Sequence, residues 1–168
     1  DRIGTEAARQ IGEFAKSDKP FFQYVAFTAA HWPIHAPEKS IQKYIKTYEG
    51  GWEKLRNERY ARMLEMGIID KENWPLPPWE DRVQPWDIID HKPWRIRNMA
   101  IYAAMVDHMD QAVGTLVEAL KKTKRLENTF IIYFHDNGAC PEHLSGNGWN
   151  TANNILAKAK KAGKTITV

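Results

Sequence analysis

Hydrophobic residues recur every three or four positions in several stretches of the chain, a spacing that places them on one face of an α-helix. This pattern predicts helices over residues 5–17, 38–48, 52–66 and 101–122, and a polar helix over 151–162. The helix over 101–122 has the clearest pattern, and Lys121 and Lys122 in its last turn suit the negative end of the helix dipole.

Two short segments have the composition of strands. Residues 21–28 are rich in aromatic side chains, which predicts a strand buried on both faces of a sheet, and residues 129–134 are β-branched and aromatic. Residues 165–168 alternate as the start of a third strand would. Because strands and helices follow one another along the chain, the predicted fold class is α/β, with a mostly parallel sheet flanked by helices.

Between the two central helices, residues 74–94 carry four tryptophans interspersed with five prolines. Proline interrupts regular structure, so this composition predicts a long ordered loop or a cap insertion packed on the domain. A rim of tryptophans that stacks against sugar rings is the alternative interpretation.

The charge pattern narrows the range of partners. The chain has 24 Lys and Arg against 21 Asp and Glu, and the basic residues are scattered, which argues against nucleic acid as a partner. No apolar run approaches the roughly 18 to 20 residues that cross a bilayer, so no membrane span is expected in this chain. The chain begins at Asp1 and ends in an alternating run, which is the pattern expected of an internal piece of a longer protein.

Two segments that follow predicted strands contain residues able to perform chemistry, and the carboxyl ends of strands are where ligands bind in open α/β sheets. The first contains His31 and His35, but Pro33 between them disfavours the helix that a zinc motif of this spacing requires. The second contains Asp136 and Asn137, two oxygen ligands of the kind that Ca²⁺ and Mg²⁺ prefer. On composition alone, hydrogen-bonded loop histidines and a simple Asp-Asn-Gly turn explain both segments equally well.

Taken in order, the segments resemble the type I sulfatase family of the alkaline-phosphatase superfamily, and its bacterial arylsulfatase branch in particular. The matching stretches are Lys19-Pro20-Phe21-Phe22, Ala26-Phe27-Thr28-Ala29, His31-Trp32-Pro33, Ala36-Pro37, Tyr102-Ala103-Ala104-Met105-Val106-Asp107, Asn128-Thr129-Phe130 and Asp136-Asn137-Gly138. The resemblance implies that residues 1–168 are part of a sulfatase catalytic domain with an alkaline-phosphatase-like sheet. It also implies hydrolysis of aryl or carbohydrate sulfate esters by the parent protein.

Carried over residue by residue, the resemblance implies that Asp136 and Asn137 ligate a divalent cation, Ca²⁺ in preference to Mg²⁺, and that His31 faces the sulfate as a catalytic group. The family's nucleophile is a formylglycine made within a Cys/Ser-x-Pro-x-Arg motif, and this chain lacks that motif. Cys140 stands in Cys140-Pro141-Glu142, with the proline misplaced, and is not expected to be the nucleophile. The formylglycine is therefore expected upstream, and the isolated chain is expected to be inactive.

Two other functions remain open at this stage. A phosphoester or phosphonate hydrolase of the same superfamily could share the cation site and the His31 loop, and a non-catalytic glycan-binding remnant could use the tryptophans of residues 74–94. The roles of His35 and His135 stay open as well. By family resemblance, the parent protein is expected in the periplasm or outside the cell.

Overall fold

The computed structural model describes residues 2–79 and 83–138. The chain divides into two units, Asp1–Asn128 and Thr129–Val168. All regular elements of the described residues lie in the first unit: five helices, α1 (Arg2–Phe14), α2 (Glu38–Gln42), α3 (Ile45–Tyr48), α4 (Gly51–Glu65) and α5 (Lys92–Lys122), with 3₁₀ turns at Trp86–Ile88 and Leu126–Asn128. The helix predicted over 151–162 and the strand predicted over 165–168 lie outside the described residues.

Helix α5 is the scaffold of the first unit. Its small and apolar residues Ala100, Ile101, Ala104 and Met105 form a buried cluster with Ile41 of α2. Helix α1 packs along the C-terminal half of the same helix, and at Gly4 a Cβ atom would lie only 2.7 Å from the Cβ of Ala112. The close approach of the two helices therefore depends on small residues on both sides.

Helices α4 and α5 end with the same arrangement of backbone hydrogen bonds. The N–H groups of Gly67 and Ile68 donate to the carbonyls of Leu64 and Met63, which is the Schellman arrangement that satisfies the last carbonyls of α4. Gly67 has a φ of 66° there, and α4 ends at Glu65, close to the predicted end at residue 66. Helix α5 ends in the same way, but the left-handed position, with a φ of 57°, is occupied by Lys124.

The predicted fold class is wrong for the described residues, because they contain no strand and no sheet. Residues 21–28 form no regular element, and their side chains alternate between half-buried and exposed, with Phe22 90% exposed. Residues 129–134 also form no strand, and Phe130 is 90% exposed. A run of apolar residues predicts an extended backbone, but a strand exists only where a neighbouring segment completes the hydrogen-bond ladder. None of the backbone hydrogen bonds among the described residues supplies that ladder to residues 21–27.

Instead, side chains attach residues 21–28 to α1. Phe21 stacks on Phe14 with 5.3 Å between ring centroids. Two positions later, the amide of Gln23 donates to the Ala7 carbonyl and to Gln10 of the same helix. One face of this segment therefore lies against α1, and the prediction of burial on both faces is corrected to burial on one.

Several helix boundaries also differ from the predictions. Helix α1 spans Arg2–Phe14, whereas residues 5–17 were predicted, and the predicted helix over 38–48 is divided into α2 and α3. Helix α5 begins at Lys92, well before residue 101, with Pro93 in its first turn. Proline is tolerated there because the first N–H groups of a helix have no carbonyl partner within the helix.

Candidate functional site

The loop that carries His31 is anchored on the core of the first unit. Its half-buried residues Ala29, Ala30, Ile34 and Ala36 pack against the cluster formed by α2 and α5. The side chain of His31 itself is exposed. The loop therefore carries an accessible imidazole, and residues before and after His31 anchor its backbone to the core.

Two hydrogen bonds define the local geometry of His31. Its backbone N–H donates to the Thr28 carbonyl at 3.0 Å, which closes a turn at the start of the loop. Its ring atom Nδ1 lies 3.0 Å from the carbonyl oxygen of Trp32. The second predicted histidine of the loop, His35, is also exposed.

The helices beneath the loop are joined by charged pairs. Arg97 of α5 donates to both carboxylate oxygens of Glu38 in α2, at 3.1 and 2.8 Å. This two-point contact, together with a hydrogen bond from Gln42, lowers the pKa of Glu38 to about 2. Glu38 is therefore ionised throughout the physiological range and connects α2 to the start of α5.

A second carboxylate, Asp107, joins the same helices further along. It accepts hydrogen bonds from Gln111 at 2.7 Å, from Tyr44 at 2.9 Å and from Lys43 at 3.1 Å. Hydrogen bonds from Gln111, Lys43 and Tyr44 lower the pKa of Asp107 to about 2. In return, the hydrogen bond to Asp107 raises the pKa of the Tyr44 hydroxyl.

Ser40 and His108 form a polar contact that sequence reasoning missed. The hydroxyl of Ser40, which is buried, lies 2.8 Å from Nε2 of His108. The sequence alone gives no role to His108, because its partner Ser40 is 68 positions away along the chain. The sequence shows only that His108 follows Asp107 on a predicted helix, and this position does not identify its partner.

In the second unit, the described residues are 129–138, and they contain Asp136 and Asn137. Both side chains are exposed. The Nδ2 atom of Asn137 donates to the Gly138 carbonyl at 2.6 Å. Its Oδ1 atom is the amide atom that can bind a cation. His135 sits beside Tyr133, with 3.2 Å between its Nε2 and the tyrosine hydroxyl.

The chemistry of these two residues fits a hard divalent cation, since both offer oxygen. It fits only in part, because Ca²⁺ takes about six to eight oxygen ligands and Mg²⁺ about six. Among residues 2–79 and 83–138, no group of three His, Cys, Asp or Glu side chains is arranged to hold a metal ion. Asp136 and Asn137 are therefore at most two members of a larger ligand set.

The three predicted site residues are divided between the units. His31 belongs to the first unit, and Asp136 and Asn137 belong to the second. The structure places each within its own unit, and the proposed roles of all three stay predictions. Cys140 lies outside the described residues.

The tryptophan-rich segment lies along α4. Three side chains of that helix donate to main-chain carbonyls of the segment: Trp52 to Gln84, Tyr60 to Trp74, and Arg56 to Pro77. The guanidinium of Arg56 also lies 5.5 Å from the centre of the Trp79 ring. Glu53 of the same helix accepts the backbone N–H of Trp86 at 2.7 Å.

No helix among the described residues has the length and apolar character needed to cross a membrane.

Comparison with known proteins adds the family. The model of the sulfatase family matches residues 1–164. An arylsulfatase of Klebsiella aerogenes is 37% identical over 147 residues, which cover 84% of this chain and 31% of that protein. An uncharacterised sulfatase of Schizosaccharomyces pombe is 36% identical over 126 residues, covering 74% of this chain and 23% of its own length. Arylsulfatase J of Mus musculus is 25% identical over 145 residues, covering 86% of this chain and 16% of its own length.

The chain thus spans less than a third of the length of each of these relatives. Sulfatases generally use a metal cation and a formylglycine residue. Because the family match covers nearly the whole chain, including the His31 loop and the Asp136-Asn137 pair, the chain belongs to the sulfatase family.

Proposed function

We propose that the full-length protein hydrolyses sulfate esters of aryl or carbohydrate alcohols. The observation that carries this proposal is the family match over residues 1–164, which includes all three predicted site residues. The similarity to an arylsulfatase over 84% of the chain supports it further. By the same resemblance, the protein acts in the periplasm or outside the cell.

His31 is the proposed acid for the departing alcohol. Breaking the bond between sulfur and the ester oxygen leaves negative charge on that oxygen, and a proton from an imidazole stabilises it. Two features of the described residues support this role: the ring is exposed, and the loop beneath it is anchored on α2 and α5. An anchored loop keeps the acid in position without closing it off from substrate.

Asp136 and Asn137 are the proposed cation ligands, because both offer oxygen to a hard divalent cation. The family resemblance favours Ca²⁺ over Mg²⁺. A cation bound there would neutralise charge on the sulfate group. The remaining ligands and the formylglycine nucleophile would come from parts of the parent protein beyond this chain. The 168 residues alone are therefore expected to turn over no sulfate ester.

The test is turnover of an activated aryl sulfate and of a sulfated sugar by the full-length protein, after mass spectrometry has verified the formylglycine. We expect His31→Ala to lower kcat/KM about 10²- to 10⁴-fold, the range that positioned proton transfer typically contributes. His35→Ala is the matched control, because His35 is an exposed histidine of the same loop, and it should stay within a few-fold of wild type.

Two results would count against the proposal. The first is an absence of turnover on both sulfate esters. The second is faster turnover of the matched phosphate ester than of the sulfate ester, which would indicate a phosphoester hydrolase of the same superfamily.

A further inference from the structure

Asn137 is followed by a glycine, and the two residues can react with each other. The backbone nitrogen of Gly138 and the side-chain carbon Cγ of Asn137 can close a five-membered ring, and glycine lets the two atoms approach without the hindrance of a Cβ. The chain contains two such Asn-Gly pairs, Asn137-Gly138 and Asn147-Gly148, and the second lies outside the described residues. The surroundings of Asn137 decide whether its ring can form.

The fold leaves both reacting groups of this pair accessible. Asp136 and Asn137 lie at a bend outside any helix or strand, and both side chains are exposed. Among the described residues, no hydrogen bond holds the backbone N–H of Gly138. The Nδ2 atom of Asn137 donates to the Gly138 carbonyl at 2.6 Å, so the amide is folded toward the residue whose nitrogen would attack it. Each of these features favours ring closure.

The described residues give no conformational reason for a glycine at position 138. Its φ does not lie in the left-handed region, unlike those of Gly51 and Gly67. A Cβ built on Gly138 would meet no described residue within 4 Å. Alanine should therefore fit at this position, and Gly138→Ala changes the reactivity of Asn137 with little effect on the packing of the described residues.

We infer that Asn137 is a site of spontaneous deamidation. The Gly138 nitrogen attacks Cγ and its proton passes to Nδ2, so that the N–Cγ bond forms, the Cγ–Nδ2 bond breaks and ammonia leaves. Water, the only co-reactant, then opens the resulting succinimide ring at one of its two carbonyls. Opening at Cγ gives aspartate. Opening at the main-chain carbonyl gives isoaspartate, whose backbone runs through Cγ and is longer by one methylene group.

The test is incubation of the full-length protein followed by tandem mass spectrometry of its peptides. EDTA is present, so that no cation on Oδ1 restricts the amide and the result does not depend on the proposed cation site. We expect the amide of Asn137 to be lost progressively with time, with aspartate and isoaspartate in its place. Fragmentation of the peptides distinguishes a change at Asn137 from one at Asn147.

Two comparisons test the role of the glycine and of the local structure. Gly138→Ala should lose the Asn137 amide at least about tenfold more slowly, because displacement of reacting atoms by about 1 Å can cost about 10²-fold in rate. Asn57 is an internal control in the same peptides: it is exposed, but it lies inside α4 and precedes Glu58, so it should stay an asparagine. An Asn137 that keeps its amide, or loses it equally fast in Gly138→Ala, would overturn the inference.

Deamidation also limits the lifetime of the proposed cation site, a consequence that rests on the proposed function. Isoaspartate shortens the side chain and lengthens the backbone next to Asp136, so the two oxygen ligands no longer keep their spacing. Aged wild-type protein should need more Ca²⁺ for half-maximal sulfate ester turnover than fresh protein, whereas aged Gly138→Ala should match fresh Gly138→Ala. Deamidation with an unchanged Ca²⁺ requirement would support the modification site and contradict the assignment of Asn137 as a ligand.

Discussion

At the scale of single residues, two carboxylates connect the short helices to α5. Glu38 is held by Arg97, and Asp107 by Lys43, Tyr44 and Gln111. Because α2 has only five residues, it has little helical stability of its own and depends on such contacts and on the burial of Ile41. These pairs therefore fix the surface on which the His31 loop rests.

The lowered pKa values of Glu38 and Asp107 predict how the stability of the fold decreases at acidic pH. Both carboxylates have a pKa of about 2 in the folded protein, against ordinary values of 4.5 for Glu38 and 3.8 for Asp107. Since the folded values are lower, the ionised groups stabilise the fold above about pH 4, and this contribution is lost as pH falls toward 2. We expect the urea midpoint of the full-length protein to decrease over that window.

In Asp107→Asn, the midpoint at pH 7 should be lower and its decrease on acidification smaller. Glu127→Gln, which changes an exposed carboxylate, serves as the control and should follow wild type. An Asp107→Asn protein with an unchanged pH profile would contradict the assignment.

The sequence predicts roles for His31, Asp136 and Asn137, which stay predictions, but it does not show that Glu38, Asp107 and His108 connect helices. Each of these three has a partner 59 to 68 positions away, and that contact depends on how residues 38–44 pack against α5. Residue type shows what chemistry a side chain can perform, whereas the partner is known only once the helices are placed.

At the scale of elements, Gly51 allows α4 to begin against the tryptophan-rich segment. It is buried with a φ of 78°, and a Cβ at this position would overlap the ring of Trp86. Trp86 in turn contacts Trp52 edge to face, with 5.0 Å between centroids. The positive φ and the lack of space both require glycine here.

Gly51→Ala should therefore lower the free energy of unfolding by about 2 to 4 kcal/mol, the sum of backbone strain and overpacking. Urea unfolding monitored by tryptophan fluorescence would measure it. The matched control is Gly12→Ala in the interior of α1, where nothing lies within 4 Å of the added Cβ. There the substitution should raise the free energy of unfolding by about 0.5 to 1 kcal/mol. Equal effects of the two substitutions would refute the role of Gly51.

Lys124 predicts a stabilising change at the end of α5. It occupies the left-handed position of the helix end with a φ of 57°, which costs a residue other than glycine about 1 kcal/mol. Lys124→Gly should raise the Tm of the full-length protein by a few degrees. Lys122→Gly, made inside the same helix, should lower it instead. A lower Tm in Lys124→Gly would show that the lysine side chain contributes more than its backbone strain costs.

The type of an element was predictable where its hydrophobic pattern is long and a residue marks its end, as Gly67 does after α4. The start of α5 was not, because Pro93 resembles an interruption of regular structure until its place in the first turn is known. The two apolar runs at 21–28 and 129–134 were wrongly predicted as strands. Composition is a local property, whereas strand pairing depends on a segment elsewhere.

At the scale of the whole molecule, the predicted cation ligands and the predicted acid lie in different units. Removal of the cation by a chelator should therefore separate the contribution of the cation ligands to turnover from that of His31. We expect EDTA to abolish sulfate ester turnover by the full-length protein, and Ca²⁺ to restore more activity than Mg²⁺. Asp136→Ala should raise the Ca²⁺ concentration that gives half-maximal activity, whereas His31→Ala should leave that concentration unchanged and lower kcat. Full activity in EDTA would contradict the assignment of Asp136 and Asn137.

The attachment of the tryptophan-rich segment has a consequence for how its sequence can vary. The donors Trp52, Arg56 and Tyr60 all belong to α4, and the acceptors are main-chain carbonyls, which every amino acid carries. Substitution of the accepting residues Trp74, Pro77 or Gln84 leaves these bonds chemically possible, whereas loss of a donor removes one. A saturation mutagenesis library should therefore tolerate many replacements at the acceptor positions and few at the donors. The sequence of this segment can then vary while its hydrogen bonds to α4 are kept.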